Sequence, residues 1–456
     1  SGNGMQIGSL HVNTTAATFT KPTGEILGVQ KGKIDVDLSN IQFGRKDGKI
    51  NWSGSINNLA LENSAGLSMG RTKNNLRFDK ASLGNLSLSS DYIPHFGQLM
   101  KANVSAWLQI PQGKFIDSNT TLEWYNANYN NSSRILSLDS FVYHPTQPLD
   151  SVLAHAKYQL DYITLKTGVV TISGLDIAQY KKDSSFIANT IKIADPVLTV
   201  FRDKKPPFSS FKKDKPLPVN MIKNISLPVS VQSVQLEDGT ITYSEKNGKS
   251  RKQGDFFLTN VNASLENIKN SNLLSSDSLS LTFKAKLMDS ADLTLNLKES
   301  YTDSLSGFLL TAKIKSADLS IANPVLVPLS NIKITSGILD SVFIRAVGRE
   351  DLSLGEMQTH YRKLRIQLIK NGDPNESTFI QKVLSALANT FVIKRNNTKR
   401  IGVIYSSRSS DQSFVNFIVQ TTLSGILSSI GVRKNQKYMK QYKQGLKHSK
   451  LPPVKL

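Results

Sequence analysis

Apolar and polar residues alternate with a period of two along most of the 456-residue chain. In one run, Leu279, Leu281 and Phe283 are separated by Ser280 and Thr282. Successive side chains of a β-strand point to opposite faces, so each such run predicts a strand with one apolar and one polar face. Gly, Asn and Asp residues separate the runs, which is typical of turns between antiparallel strands.

The number of these runs limits the possible architectures. Roughly twenty strands are predicted, without the alternation of strands and helices that accompanies a parallel sheet. Twenty strands side by side, at about 4.8 Å each, would make a sheet on the order of 100 Å long, which has to bend, coil or split. The sequence therefore predicts a mainly β fold, either an elongated, bent antiparallel sheet that forms an apolar trough or tandem β-sandwiches.

A segment rich in lysine and proline, residues 203–218, interrupts the alternation near the middle of the chain. This composition predicts a solvated loop or linker. The loop separates residues 1–202, the N-terminal half of the predicted trough, from residues 219–372, its C-terminal half.

Residues 373–432 are predicted to form an α/β terminal module with two amphipathic helices. Asp373 suits the N-cap of the first helix and Pro374 its first turn. The second helix is expected to begin near Asp411 and to stop at Gly431. The apolar stripe of the first helix comprises Ile380, Val383, Leu384, Leu387 and Phe391. Short strands are expected between the helices at 391–394 and 402–405.

The chain carries a formal net charge of +21, and its last segment, 433–456, has eight basic residues and no acidic one. An anionic membrane surface attracts such a tail by about 1 kcal/mol per Lys or Arg. A solvated tail, partly helical or disordered, is the alternative. Nucleic acid is not an expected partner, because basic-aromatic and helix-turn-helix patterns are missing. The expected membrane contacts are Arg433, Lys434, Lys437, Lys440, Lys443 and Lys447.

The sequence contains no pattern that predicts catalysis. It has no cysteine, and its six histidines have no metal-ligand spacing. Nucleophile-elbow, phosphate-loop, dinucleotide-binding and zinc-protease motifs are absent. We therefore expect a protein that is not an enzyme, with no catalytic residue, no metal site and no cofactor.

Several segments of the second half of the chain resemble the AsmA-like family of bacterial envelope proteins, in the form found in Bacteroidota. Ile191–Asp203 is similar to a family strand that precedes a proline loop, and Leu236–Glu245 to the hairpin that follows. The terminal module provides the most specific similarity. The remaining similar segments are Phe256–Val261, Leu387–Ile393, Gly402–Tyr405 and Thr422–Ile426.

This resemblance implies a trough-shaped sheet with an apolar interior that shields phospholipid between the inner and outer membranes. It implies a periplasmic location, membrane or envelope-protein partners, and an N-terminal membrane helix outside this chain, since no run of 18 apolar residues is present. An assembly factor for outer-membrane proteins and a glycan-binding or adhesin β protein are the alternatives. The groove-lining candidates, chosen by strand alternation, are Ile163, Leu165, Ile172, Leu279, Leu281, Phe283, Leu287, Leu293, Leu295 and Leu297.

Overall fold

A computed structural model describes residues 5–15, 17–20, 26–29, 32–46, 49–68, 75–90, 96–179, 184–209, 214–303, 307–369, 394–431 and 434–446. Twenty-one of the described strands belong to one large mixed sheet, and two others form a separate hairpin. The predicted mainly β class is confirmed, and a single sheet takes the place of tandem β-sandwiches.

The strands cover most of the described chain, and the helices are short except for the last two. The strands are β1 Met5–Thr14, β2 Ala17–Thr20, β3 Ile26–Val29, β4 Gly32–Lys46, β5 Lys49–Ser68, β6 Asn75–Ser89, β7 Trp107–Ile116, β8 Thr120–Asn130, β9 Ile135–Leu138, β10 Ser140–Pro145, β11 Asp161–Lys166, β12 Val170–Ser173, β13 Phe186–Ala194, β14 Val197–Asp203, β15 Val229–Lys246, β16 Gln253–Lys269, β17 Ser278–Leu287, β18 Ala291–Ser300, β19 Phe308–Ile314, β20 Ala317–Asp318, β21 Ile332–Gly348, β22 Leu352–Leu368 and β23 Ile401–Ser407. The helices are α1 Phe96–Ala102, α2 Leu149–His155, α3 Pro218–Lys223, α4 Asn323–Ser330, α5 Phe414–Ile430 and α6 Lys434–Leu446, with a short 3₁₀ helix at Leu319–Ala322.

The chain divides into two compact units that interleave along the sequence. The first unit contains residues 1–148, 164–196 and 227–234. The second unit contains residues 149–163, 197–226 and 235–456.

The first unit is a ladder of antiparallel strands in which β1, β4, β5, β6, β7 and β8 pair in that order. Strand β8 then pairs with both β9 and β10, and β9 continues through β12 to β13. Hairpin connections between sequence neighbours explain most of this order, as the turn residues in the sequence predict.

Several strands of the sheet contain an asparagine in the left-handed backbone region. Asn126 of β8, for example, has a φ of 50°. Asparagine tolerates this conformation better than most residues, because its side chain forms local hydrogen bonds. At such a residue the strict alternation of faces is interrupted. The other strand asparagines of this kind are Asn40, Asn85, Asn260 and Asn267.

In the second unit, β16 pairs antiparallel with β17, and the ladder continues through β18, β19, β21 and β22 to β23. Strand β14 pairs in parallel with β15, Val197 lying opposite Thr240, so the expected purely antiparallel sheet is wrong at this place. A parallel pair needs a long crossover, and the segment through α3 supplies one. The described residues of the predicted loop, 204–209 and 214–217, lie within this crossover, whereas Asp203 is the last residue of β14 and Pro218 the first of α3.

Helix α5 corresponds to the second predicted helix and packs on the sheet of the second unit. Ser413 is its N-cap and accepts a hydrogen bond from the Asn416 amide, and Gly431, with a φ of 122°, ends it as predicted. Within the basic segment that follows, Lys434–Leu446 form the helix α6. The first predicted helix, beginning at Asp373, and the predicted strand 391–394, except for Lys394, lie outside the described residues.

Candidate functional site

A continuous row of apolar side chains crosses the first unit from β1 to β13. Each residue of the row lies directly opposite the next one on the neighbouring strand, so that all of them share one face of the sheet. We call this row the apolar strip. It consists of Val12, Val36, Leu59, Leu83, Leu108, Tyr129, Leu136, Ile172 and Ile191.

Most of the apolar strip remains accessible to solvent. Tyr129 is its one buried member, whereas Val12 and Leu108 are exposed and the other residues are half-buried. At about 4.8 Å per strand, nine strands extend the strip over roughly 40 Å. A contiguous apolar surface that remains partly accessible is a candidate binding surface.

The strip deepens into an open cavity of about 320 Å³ between β7, β8, β9 and β10. The hydroxyl of Tyr129 is the one polar group outside the tryptophan indole, and it donates a hydrogen bond to Asn131 Oδ1 at 3.0 Å. The cavity therefore offers apolar contact and almost no hydrogen bonding. Its lining residues are Leu108, Ile110, Trp124, Ala127, Tyr129, Leu136, Leu138 and Phe141.

Asn126 makes this lining possible. Trp124 and Ala127 are three residues apart in β8 and would face opposite sides of a regular strand. The left-handed conformation of Asn126 between them allows both to line the cavity. The Asn126 side chain donates to Asp139 Oδ2 at 2.6 Å, which ties this irregularity to the end of β9.

Trp124 occupies its position because the residue opposite it, on β7, is Gly113. A Cβ atom at Gly113 would lie 2.1 Å from the indole ring, so any larger residue would displace the tryptophan. The indole therefore lies flat on the backbone of the adjacent strand. The same aromatic-over-glycine arrangement recurs at the opposed pairs Trp107 with Gly84 and Phe308 with Gly348.

The charged side chains of the same strands point away from the cavity. Glu123, next to Trp124 in sequence, forms an ion pair with Lys114 at 2.6 Å and accepts a hydrogen bond from the Tyr125 hydroxyl. The hydrogen bond from Lys114 holds the pKa of Glu123 below its ordinary value. These strands thus have one charged face and one apolar face.

Two predicted groove residues lie on or beside the cavity face. Ile172 lies opposite Leu136 and belongs to the apolar strip. Leu165 lies opposite Tyr143 on β10, two residues along the strand from Phe141. Ile163 is half-buried in β11. The cavity residues themselves were not predicted. Leu108 and Ile110, and likewise Leu136 and Leu138, stand at every second position, a pattern that indicates an apolar strand face.

The seven predicted groove residues on β17 and β18 do share one face. Leu281 lies opposite Leu297, and Phe283 lies opposite Leu295. However, four of the seven are buried or pack against the protein core. Leu279 and Leu297 are buried. Leu297 belongs to a core that also includes Leu217, before α3, and Phe417 of α5, and Leu281 and Leu295 pack against this core. The remaining residues, Phe283, Leu287 and Leu293, are half-buried.

The second unit also contains a buried acid. Glu299 is fully buried on the apolar face of β18, between Leu279 and Phe308. Its Oε2 accepts a hydrogen bond from the Val219 amide at 3.2 Å, and its Oε1 has no partner. Burial raises the pKa of Glu299 to about 7.

His11, Asp35 and Asp37 come together across β1 and β4, although no spacing in the sequence indicates it. His11 Nδ1 lies 2.7 Å from Asp37 Oδ1, and Nε2 lies 3.4 Å from Asp35 Oδ1. The hydrogen bond to Asp37 raises the pKa of His11. These are ligand types that a divalent cation accepts, but both imidazole nitrogens face carboxylates, as in an ion-paired histidine.

Four of the predicted membrane-contact lysines, Lys434, Lys437, Lys440 and Lys443, are exposed on α6. Arg433 and Lys447 lie outside the described residues. Among the residues whose structure is given above, no single helix is both long and apolar enough to cross a membrane. Helices α5 and α6 reach that length and composition only when they are counted together across a sharp break.

Comparison with known proteins gives no match: neither a protein-family model, nor a curated protein, nor a solved structure matches this chain.

Proposed function

We propose that this protein binds lipid, and that acyl chains occupy the cavity and the apolar strip of the first unit. The observation that supports this proposal is the continuity of the strip with an open cavity whose lining is almost wholly apolar. Each acyl CH₂ group removed from water at such a surface gains about 0.8 kcal/mol. Binding then requires no catalytic group, and we assign none.

The setting that we propose is the bacterial periplasm, where an AsmA-like protein would shield phospholipid on its way between the inner and outer membranes. The segments that resemble that family, together with the mainly β fold, support this setting. Inner- or outer-membrane surfaces and other envelope proteins would be the partners. An N-terminal membrane helix outside this chain would provide the anchor.

The polarity of the cavity favours lipid over a glycan. A sugar ring can stack on Trp124, but its hydroxyl groups also require hydrogen-bond partners. The Tyr129 hydroxyl is already engaged with Asn131, and the other lining side chains apart from the indole have no polar group. A glycan would therefore lose its hydrogen bonds to water without replacement.

The test is native mass spectrometry, with lipid extraction, of the purified full chain and of two matched variants. Leu108 faces the cavity, and its neighbour Gln109 points to the other face of the same strand; both are exposed. Leu108→Glu should lower the bound lipid at least about tenfold, because a carboxylate placed against acyl chains costs several kcal/mol. Gln109→Glu adds the same charge and should leave the lipid content unchanged.

Circular dichroism of both variants controls for folding. A wild-type protein that purifies without lipid, and takes none up from vesicles, contradicts the proposal. Equal loss of lipid in the two variants contradicts the cavity as the site.

A further inference from the structure

Helix α6 is held against the second unit by specific contacts on one of its faces. The Asn435 side-chain nitrogen lies 2.7 Å from the Val403 carbonyl oxygen and 2.9 Å from that of Ser424. The rings of Tyr438 and Tyr442 lie 5.5 and 6.5 Å from the ring of Tyr405. The helix is therefore part of the folded unit, and its outward face has a defined orientation.

The outward face of α6 is cationic. Lys434, Lys437, Lys440 and Lys443 are exposed, and the helix contains no acidic residue. Among the described residues, no carboxylate forms an ion pair with any of these lysines. Their charges are thus available to an anionic partner.

The four lysines differ in their surroundings. An open cleft of about 410 Å³ runs along α6 beside Val403 of β23, and Lys440 and Lys443 line it, whereas Lys434 and Lys437 do not. Val403 and Met439 provide apolar surface in the same cleft. The remaining lining residues are Gln436 and Gln444, whose amides can donate hydrogen bonds.

We infer that this cleft binds the phosphate headgroup of an anionic phospholipid at a membrane surface. Two ammonium groups one helical turn apart can contact a phosphate, the two glutamine amides can donate to its oxygens, and Val403 and Met439 can contact the first carbons of the acyl chains. A nucleic acid would use the lysines but would gain little from the apolar surface. This inference adds a lipid class and a membrane-contact site to the proposed function and rests on different residues from the cavity.

The test compares two double variants that remove the same charge. Full-length protein is sedimented with phosphatidylcholine vesicles and with vesicles that also contain phosphatidylglycerol. Lys440→Gln/Lys443→Gln should weaken binding to the anionic vesicles about tenfold or more, since each lysine near the surface contributes about 1 kcal/mol. Lys434→Gln/Lys437→Gln should weaken it less than about threefold.

Three results would overturn the inference. These are equal binding to neutral and anionic vesicles, equal losses in the two double variants, and tighter binding of the wild type to a short DNA duplex than to anionic vesicles. Leu108→Glu serves as the separating control. It should retain binding to anionic vesicles even if it no longer carries lipid, so that failure of the cavity and failure of the cleft can be told apart.

Discussion

Trp124 forms one wall of the cavity because Gly113, on the neighbouring strand, has no side chain. A glycine in a strand interior normally weakens the strand. Here the indole covers the exposed backbone, so a residue that is unfavourable by propensity becomes part of the binding surface. The tryptophan position therefore depends on a residue of another strand.

Gly113→Ala should move Trp124, because the new Cβ would lie 2.1 Å from the indole. We expect a changed tryptophan emission, about 1–3 kcal/mol less stability, and lower lipid content. Gly44→Ala is the matched control, since nothing lies within 4 Å of a Cβ built at that strand position. If Gly113→Ala and Gly44→Ala have the same small effects, the indole does not pack closely on Gly113.

Glu299 should make the stability of the second unit depend on pH. Its folded-state pKa of about 7 is above the ordinary value of 4.5, because burial disfavours the carboxylate. Lys223 and Glu350 act on it in opposite directions, and the Val219 amide favours the carboxylate. A raised pKa of an acid means that the stabilising contribution is complete below pH 4.5 and is lost progressively as the pH rises to about 7.

Glu299→Gln keeps an oxygen acceptor for Val219 and removes the titration. Relative to this variant, the wild type should lose about 3 kcal/mol of unfolding free energy between pH 4.5 and pH 8, at about 1.4 kcal/mol per pKa unit. Urea unfolding followed by circular dichroism measures it. A difference between wild type and variant that does not change with pH would refute the assignment.

At the residue scale, the sequence predicts which side chains share a face only while the alternation is regular. Regular alternation is consistent with Ile172 in the apolar strip and Leu165 beside the cavity face, but it could not place Trp124 and Ala127 together. Their common orientation depends on the backbone conformation of Asn126, which the sequence allows but does not require. The sequence did indicate the orientation of Glu299, because it follows Leu295 and Leu297 at every second position of one strand and therefore shares their apolar face.

Helix α5 covers the apolar face of the second unit over β22 and β23. Phe417 is fully buried, and its ring lies 5.8 Å from that of Phe308 in an edge-to-face arrangement. The outer side of the same helix carries Val415, which is 72% exposed. The contribution of the helix to stability should therefore come from one face.

Phe417→Ala should destabilise the second unit by about 3–5 kcal/mol, because it leaves a cavity in the core. Val415→Ala, two residues away, should change stability by less than about 0.5 kcal/mol. All three tryptophans lie in the first unit, so an earlier transition by circular dichroism without a shift in tryptophan emission identifies the second unit. Similar losses in both variants would show that α5 does not close the core as described.

At the element scale, local signals were sufficient for the hairpin ladder, for α5 and for its end at Gly431. The parallel pairing of β14 with β15 could not be predicted, because alternation within a strand does not encode the direction of its neighbour. Strand alternation likewise directed the groove candidates toward β17 and β18. Only the three-dimensional packing of the helices and of Leu217 distinguishes a covered apolar face from an open one.

At the scale of the whole molecule, one alternation pattern serves two purposes. In the second unit it supplies a packed core around Phe308 and Phe417, whereas in the first it leaves a row of side chains partly exposed from Val12 to Ile191. The net charge, which dominates the composition, contributes neither to the packed core of the second unit nor to the partly exposed row of the first. Part of the positive charge is concentrated on α6, where two of the four lysines line a cleft that also has apolar surface.

The interleaving of the two units has a consequence for biosynthesis. The first unit lacks its last segment until residue 234 has left the ribosome, and residues 149–163 and 197–226 emerge before the strands of the second unit with which they pack. During translation, therefore, the apolar strip is exposed before either unit is complete. Nascent chains of this protein should need a chaperone for longer than chains whose domains follow one another in sequence.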